Sequence, residues 1–188
     1  RYFSSAASDV YKRQSLTLDE IFDLAKKTLL ANGCDDETAS ILSDLIRNAE
    51  RDGSVSHGLF RLPAYVSGLK SGKINGKGKP EVKKISPSVI KVQGNNSLAP
   101  VVLSKSLPEL SKAAKENGVA VLAINNSHHM AAMWPETEKL AEDGLVAFAC
   151  TSYKPAVAPA GAIKPLFGTN PISFAWPRPG KTLSLIHI

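Results

Sequence analysis

The sequence predicts an α/β fold, helical in its amino-terminal part and continuing into a mixed sheet with crossover helices. Three observations carry that expectation. Apolar residues recur at helical spacing across residues 17–49. Two short, continuous apolar runs, residues 119–124 (VAVLAI) and 145–150 (LVAFAC), have the length of strands buried on both faces. Between those runs lies a further stretch of helical period, and the order strand, helix, strand is that of an α/β layer with a crossover.

The elements follow in order. Thr17 with Glu20 three residues on forms a capping box. Ile21, Phe22, Ala25 and Leu29 then share one face, and Gly33 ends the helix. Asp35 or Asp36 starts a second helix with the stripe Ala39, Leu42, Leu45, Ile46 and Ala49, closed by Gly53. A third helical stretch falls within residues 57–71, closed by Gly72, with Pro63 at a first turn or a kink. A Gly/Lys loop leads to strands over 81–85 and 89–92, separated by Pro87; Gly94, Asn95 and Asn96 make a turn. Residues 107–117 read as a helix ending at Gly118, and 130–143 as a helix that starts or bends at Pro135. Residues 151–177 are rich in Pro and Gly, with one strand candidate at 172–176.

The two ends differ from the rest. Residues 1–14 (RYFSSAASDVYKRQ) carry no helical or strand period, and 183–188 (LSLIHI) follow a Pro- and Gly-rich turn without a closing element. Both strings resemble translated adaptor sequence from short-read assembly. The expected organisation is therefore a non-native tail at 1–14, one partial domain at 15–182 and a second non-native tail at 183–188. A genuine flexible tail is the other reading.

Bulk properties narrow the class. At 188 residues and 43% hydrophobic, the chain is long enough for one sizeable core. Its 21% charged residues are ordinary for a globular protein. Cys34 and Cys150 form neither a CxxC pair nor a zinc spacing, so a reduced, cytoplasmic setting is expected. No apolar run approaches the roughly 20 residues needed to span a bilayer, and no membrane association is expected. The net charge is +6, but residues 1–14 hold three cations against one acid, so the rest carries about +4. Lys70, Lys73, Lys77, Lys79, Lys83 and Lys84 cluster without interleaved aromatics, as in a solvated loop and edge strand, and no nucleic-acid partner is expected.

Nucleotide-binding fingerprints are absent. Gly76 and Gly78 begin a GxGxxG, but Glu81 occupies the third glycine position. Gly180, Lys181 and Thr182 imitate the end of a P-loop, but Ala175 stands where its first glycine belongs. A dinucleotide, if bound, is not bound by the common Rossmann device.

Three segments concentrate chemistry. In residues 52–61 (DGSVSHGLFR), Gly53 and Gly58 bracket Ser56 and His57, and Arg61 lies four residues beyond His57. An imidazole moves a proton near neutral pH, and a guanidinium in the same wall holds a carboxylate. Together they suit a substrate with a carboxylate beside a reducible carbon. A plain helix start, with Ser56 as N-cap and both cations solvated, is the alternative. A Ser-His hydrolase is disfavoured, because adjacent residues rarely face one another and no GxSxG elbow is present. Residues 125–134 (NNSHHMAAMW) follow a strand and open a helix, where open α/β sheets bind ligands. A polar loop with a helix cap is the other reading, and adjacent histidines are poor zinc spacing, so no metal is expected. Residues 158–171 (APAGAIKPLFGTNP) form a long irregular stretch of the kind that is usually functional. A well-packed surface loop is its alternative.

Taken together, these segments resemble the malate/L-lactate dehydrogenase family: DG-x-x-SHG-x-x-R, then N-x-x-HH, then P-x-G-x-x-x-x-FGTNP-x-x-x-A-x-P, in that order over residues 16–181. HHMAAMWPE and KPLFGTNPISFAWP look most like its Δ1-piperideine-2-carboxylate/Δ1-pyrroline-2-carboxylate reductase branch. The resemblance implies a non-Rossmann fold binding NAD or NADP, and hydride transfer to the C2 carbon of a 2-oxo acid or cyclic imino acid. It implies His57 as proton donor with Ser56 as relay partner, and Arg61 on the substrate carboxylate. His129, Met130, Ala131, Ala132 and Met133 match a cofactor-contacting segment, with Ser152, Thr169, Asn170 and Pro171 as further cofactor-side positions. It also implies a homodimer and a longer chain, of which this is an amino-terminal fragment. The family places an aspartate just beyond the proline-rich segment, where it polarises the Ser-His pair. Residues 183–188 contain no acid, so the chain as written is expected to be nearly inactive. A non-catalytic binding or regulatory fragment of the same fold is the rival expectation.

Overall fold

A computed structural model describes residues 15–128, 131–180 and 182–187. The amino-terminal part is helical. Helix α1 (Leu18–Ala31) starts on the capping box, with the Thr17 hydroxyl accepting from Glu20 N–H at 3.2 Å and the Glu20 carboxylate accepting from Thr17 N–H at 2.8 Å. Helix α2 (Asp36–Arg51) is capped by Asp35, whose carboxylate accepts from Thr38 N–H at 2.9 Å. The two helices pack together through Ile21, Ala25 and Leu29 against Ala39, Leu42 and Ile46, all buried, and Tyr65, Leu98 and Val101 complete this core. Phe22 lies at its rim with the Arg47 guanidinium 5.2 Å from its ring centroid.

Gly53, at φ +72°, turns the chain out of α2 into two successive 3₁₀ turns, Val55–His57 and Leu59–Arg61. Helix α3 (Leu62–Lys70) follows, with Pro63 in its first turn, where a missing N–H costs nothing.

Strands β1 (Glu81–Ser86) and β2 (Val89–Gln93) form an antiparallel hairpin, with an irregularity between Lys84 and Ser86. Helix α4 (Ala99–Asn117) then crosses over to β3 (Val121–Asn125), which lies parallel to β2. Ile90 and Val92 of β2 meet Val102 and Ala113 of α4 in a second core. Helix α4 is two turns longer than the spacing predicts. Pro108 sits inside it, and buried Val101, Val102 and Leu103 hold the first turns in place.

Two strand expectations are corrected. Residues 119–124 were expected to be buried on both faces, but β3 is the edge of the β1-β2-β3 sheet and Val121 is 57% exposed. Strand β4 (Ala147–Cys150), expected to be buried likewise, has Phe148 63% exposed. In both cases an uninterrupted apolar run marks two apolar faces, of which a neighbouring helix covers one. The layer expected to join these strands through a crossover also differs: β3 and β4 belong to separate sheets.

The helix between them, α5, spans Trp134–Glu142, beginning at the proline rather than at Met130, with Pro135 in its first turn. It packs on an antiparallel sheet of β4, β5 (Ile172–Trp176) and β6 (Leu183–His187). Residues 183–187, set outside the folded unit on sequence, thus pair with β5 from Trp176↔Leu183 to Ile172↔His187. The tail expected at 1–14 lies outside the described residues.

Candidate functional site

The first chemical segment is built by the two 3₁₀ turns. They bring both the Ser54 and Ser56 hydroxyls to Nδ1 of His57, at 3.2 and 3.0 Å. A hydroxyl both donates and accepts, so this pair holds Nδ1 in either tautomer and leaves Nε2 as the nitrogen open to a ligand. Adjacent Ser56 and His57 do face one another here, because the 3₁₀ turn folds the ring back over its own backbone. Arg61 donates from Nε to the Ser56 carbonyl at 2.7 Å, which ties the guanidinium to the same turn and leaves its Nη groups for a ligand. Burial lowers the His57 pKa below the ordinary imidazole value, and the Arg61 charge lowers it further.

Glu50, in the last turn of α2, braces this turn. Its carboxylate accepts from Leu59 N–H at 2.7 Å and lies against Gly58, where a Cβ would fall 2.1 Å from Oε1. Gly58 is therefore the residue that lets the carboxylate reach the backbone.

Two residues that sequence reasoning did not single out complete the group. The Trp134 ring meets the His57 ring edge-to-face, centroids 6.2 Å apart and planes at 80°. Its indole N–H lies toward the Asp52 carboxylate and helps to lower that carboxyl's pKa. Arg51 grips the same carboxylate with two bonds, 2.8 and 3.1 Å. Chiefly through those bonds, with the indole adding to them, Asp52 is held below the usual carboxylate range. Both residues stood inside the quoted motifs, but nothing in the sequence showed that the start of α5 reaches the end of α2.

The second segment is clasped by the turn after β2. Gly94 N–H donates to Asn125 O and Asn96 N–H to Asn126 O, both at 2.8 Å, and a Cβ on Gly94 would lie 2.8 Å from Asn126 O. His128 N–H donates to Ser97 O at 2.9 Å. His129 and Met130 lie outside the described residues. Ala131 has a positive φ of 50°, and Ala132 and Met133 are buried. Among the described matched positions, the buried Ala132 and Met133 side chains anchor the start of α5.

The third segment is a closed loop. Val157 bridges Phe167, with Ala156 and Val157 N–H both donating to Phe167 O at 2.8 Å. Tyr153 N–H donates to the Asn170 side chain at 2.9 Å, Thr151 N–H to Pro171 O at 3.3 Å, and Gly168 lies close against Tyr153 O. The structure thus brings Ser152 together with Thr169, Asn170 and Pro171, as four neighbouring positions on one loop. Ser152, Thr169 and Asn170 are exposed, and Asn170 has a φ of 42°. Exposed hydroxyl and amide groups on a pinned backbone suit neutral hydrogen-bonding parts of a nucleotide, and in that respect the residues present fit such a group.

Among the described residues, no group of three His, Cys, Asp or Glu side chains could hold a metal ion. No helix among them is long and apolar enough to cross a membrane.

Helices leading into small sheets, with a histidine and an arginine on one turn, define an α/β protein with a polar site at the end of its helical part. The family is settled by comparison: residues 16–186 match the family model described as malate/L-lactate dehydrogenase, and the chain belongs to that family. It is 41% identical over 167 residues to the Δ(1)-pyrroline-2-carboxylate/Δ(1)-piperideine-2-carboxylate reductase of Pseudomonas syringae pv. tomato, covering 89% of this chain and 49% of that one. It is 40% identical over 164 residues to the Δ(1)-pyrroline-2-carboxylate reductase of Ancylobacter novellus, covering 87% and 48%. The crystal structure of the Pseudomonas syringae piperideine-2-carboxylate reductase superposes with a TM-score of 0.85 at 40% identity, over 92% of this chain and 52% of that chain. The malate dehydrogenase of Pyrococcus horikoshii gives 0.85 at 32% identity, over 92% and 50%. The chain thus spans about half the length of the curated relatives it matches.

Proposed function

We propose that this chain is the His57-bearing, amino-terminal half of an NAD(P)H-dependent reductase that transfers hydride to the C2 carbon of a 2-oxo acid or cyclic imino acid. The observation that carries this reading is the His57 turn: one imidazole nitrogen held by two hydroxyls, the other free, and a guanidinium fixed beside it. The relatives' printed names support the substrate class, since pyrroline- and piperideine-2-carboxylate are cyclic imines with a carboxylate on the reducible carbon.

The residues divide the work. Arg61 takes the carboxylate through its free Nη groups and so sets C2 beside the imidazole. A reduced nicotinamide, when bound, supplies the hydride. His57 gives the proton from Nε2 to the imine nitrogen or carbonyl oxygen and becomes neutral, while Ser54 and Ser56 keep the ring oriented. The His129, Met130, Ala131, Ala132 and Met133 segment, with Ser152 and the Thr169–Asn170–Pro171 turn, forms the cofactor side. The nucleotide is held without a Rossmann glycine loop, and the working enzyme is a cytoplasmic homodimer.

The test uses the chain joined to the carboxy-terminal half of the Pseudomonas syringae reductase. Arg61→Ala should raise KM for Δ1-piperideine-2-carboxylate with a smaller change in kcat, because the guanidinium holds the substrate before and during the reaction. An unchanged KM would remove Arg61 from the substrate site.

A further inference from the structure

The His57 turn does not stand alone, and the residue that joins it to the rest of the fold is Trp134. The two are far apart in sequence and sit on different elements. His57 ends a 3₁₀ turn after α2, and Trp134 opens α5 after the cofactor-matched segment. Yet their rings meet edge-to-face at 6.2 Å. The other end of the indole lies toward the Asp52 carboxylate, itself gripped by Arg51. At its base, buried Met133 precedes it and Thr137 bonds the Ser173 hydroxyl of β5 at 2.7 Å. The wall beside the imidazole is therefore anchored on α2 and on the β4-β5-β6 sheet at once.

The geometry points to Trp134 as a positioning residue for His57, its indole forming the wall against which the proton-carrying imidazole is set. This rests on the reading of His57 as the proton donor. An edge-to-face pair fixes the ring plane about the axis that the two serine hydroxyls leave free. It also excludes water from one side of the imidazole, in agreement with burial as the main cause of the His57 shift. Arg61 on the next turn acts on His57, Glu50 braces the backbone at Gly58 and Leu59, and Arg51 with Asp52 and Glu138 form a charged group near the end of α2; none changes in the variants below.

The experiment needs no turnover, so its failure is distinguishable from failure of the proposed activity. The His57 ring protons are titrated by NMR in the 188-residue chain and in the variants Trp134→Ala and Trp134→Phe, each checked for folding by circular dichroism. Trp134→Ala should move the His57 midpoint upward, toward the ordinary value of about 6.5. Trp134→Phe, which keeps a smaller ring in the wall, should move it the same way by less. An unmoved midpoint in folded Trp134→Ala, or a Trp134→Phe shift as large as that of Trp134→Ala, overturns the proposal. Where Trp134→Ala does not fold, cross-relaxation between the His57 and Trp134 ring protons in the unaltered chain decides. Its presence supports the proposal, and its absence overturns it.

Discussion

At the scale of single residues, the buried carboxyl of Glu136 has the clearest consequence. It lies in the first turn of α5, 8% exposed, and its Oε1 has no hydrogen-bond partner. Burial pushes its pKa up to about 8 from an ordinary 4.5. A group whose pKa is raised by folding keeps the folded chain protonated where the unfolded chain is not. Its favourable contribution is complete below 4.5 and is lost as pH rises through about 8. Glu136→Gln should therefore match the unaltered chain at pH 4.5 and exceed it in urea-melt stability above pH 8, by on the order of a few kcal/mol. Equal stability of the two chains at high pH would show that Glu136 has a partner in solution. Other residues were legible before the fold was known. Ser56, His57 and Arg61 stand out only through the resemblance that three ordered segments carry together, because their spacing alone fits a plain helix start as well. Trp134 and Asp52 do not: an aromatic at a helix start and an acid before a glycine are ordinary, and only tertiary packing joins them.

At the scale of elements, helices were read more accurately than strands, for a physical reason. A helix writes both its ends and its buried face into the sequence. Thr17 and Glu20 cap α1, Asp35 caps α2, and the stripe Ala39, Leu42, Leu45, Ile46 and Ala49 is buried in full. Thr17→Ala removes the hydroxyl that receives Glu20 N–H and should lower stability by roughly 0.5–2 kcal/mol. Thr17→Ser, which keeps the hydroxyl, should restore most of it in the same denaturant titration. If both variants melt alike, the capping box is not what starts α1. Strands state only which of their faces are apolar. Val121 and Phe148 lie in continuous apolar runs yet face outward, and no feature within the runs says which face a helix will cover. The third segment stood out by its irregular length, but its closure by Tyr153 with Asn170 and Val157 with Phe167 needed coordinates.

At the scale of the whole molecule, the strands form two separate three-stranded sheets, and the second carries an apolar outer face. Phe148, Ile172, Trp176, Leu183 and Leu185 are all exposed on it, while Ala147, Ser173 and Ala175 are buried on the other side. An uncovered face of this kind should bind hydrophobic dyes and drive self-association. The double variant Phe148→Ser/Leu185→Ser should lower both the dye fluorescence and the light scattering of the chain at high concentration. Unchanged signals would place the sticky surface elsewhere.

The same scale sets the central test, since the account joins a proton donor on the helical part to a hydride delivered at the sheet side. The chain, completed with the carboxy-terminal half of the Pseudomonas syringae reductase, is given NADPH or NADH with Δ1-piperideine-2-carboxylate, and absorbance of the reduced nicotinamide is followed. The account predicts turnover that His57→Ala reduces by roughly 10²–10⁴-fold, the usual worth of a general acid, with cofactor binding retained. Undiminished kcat in His57→Ala would contradict it.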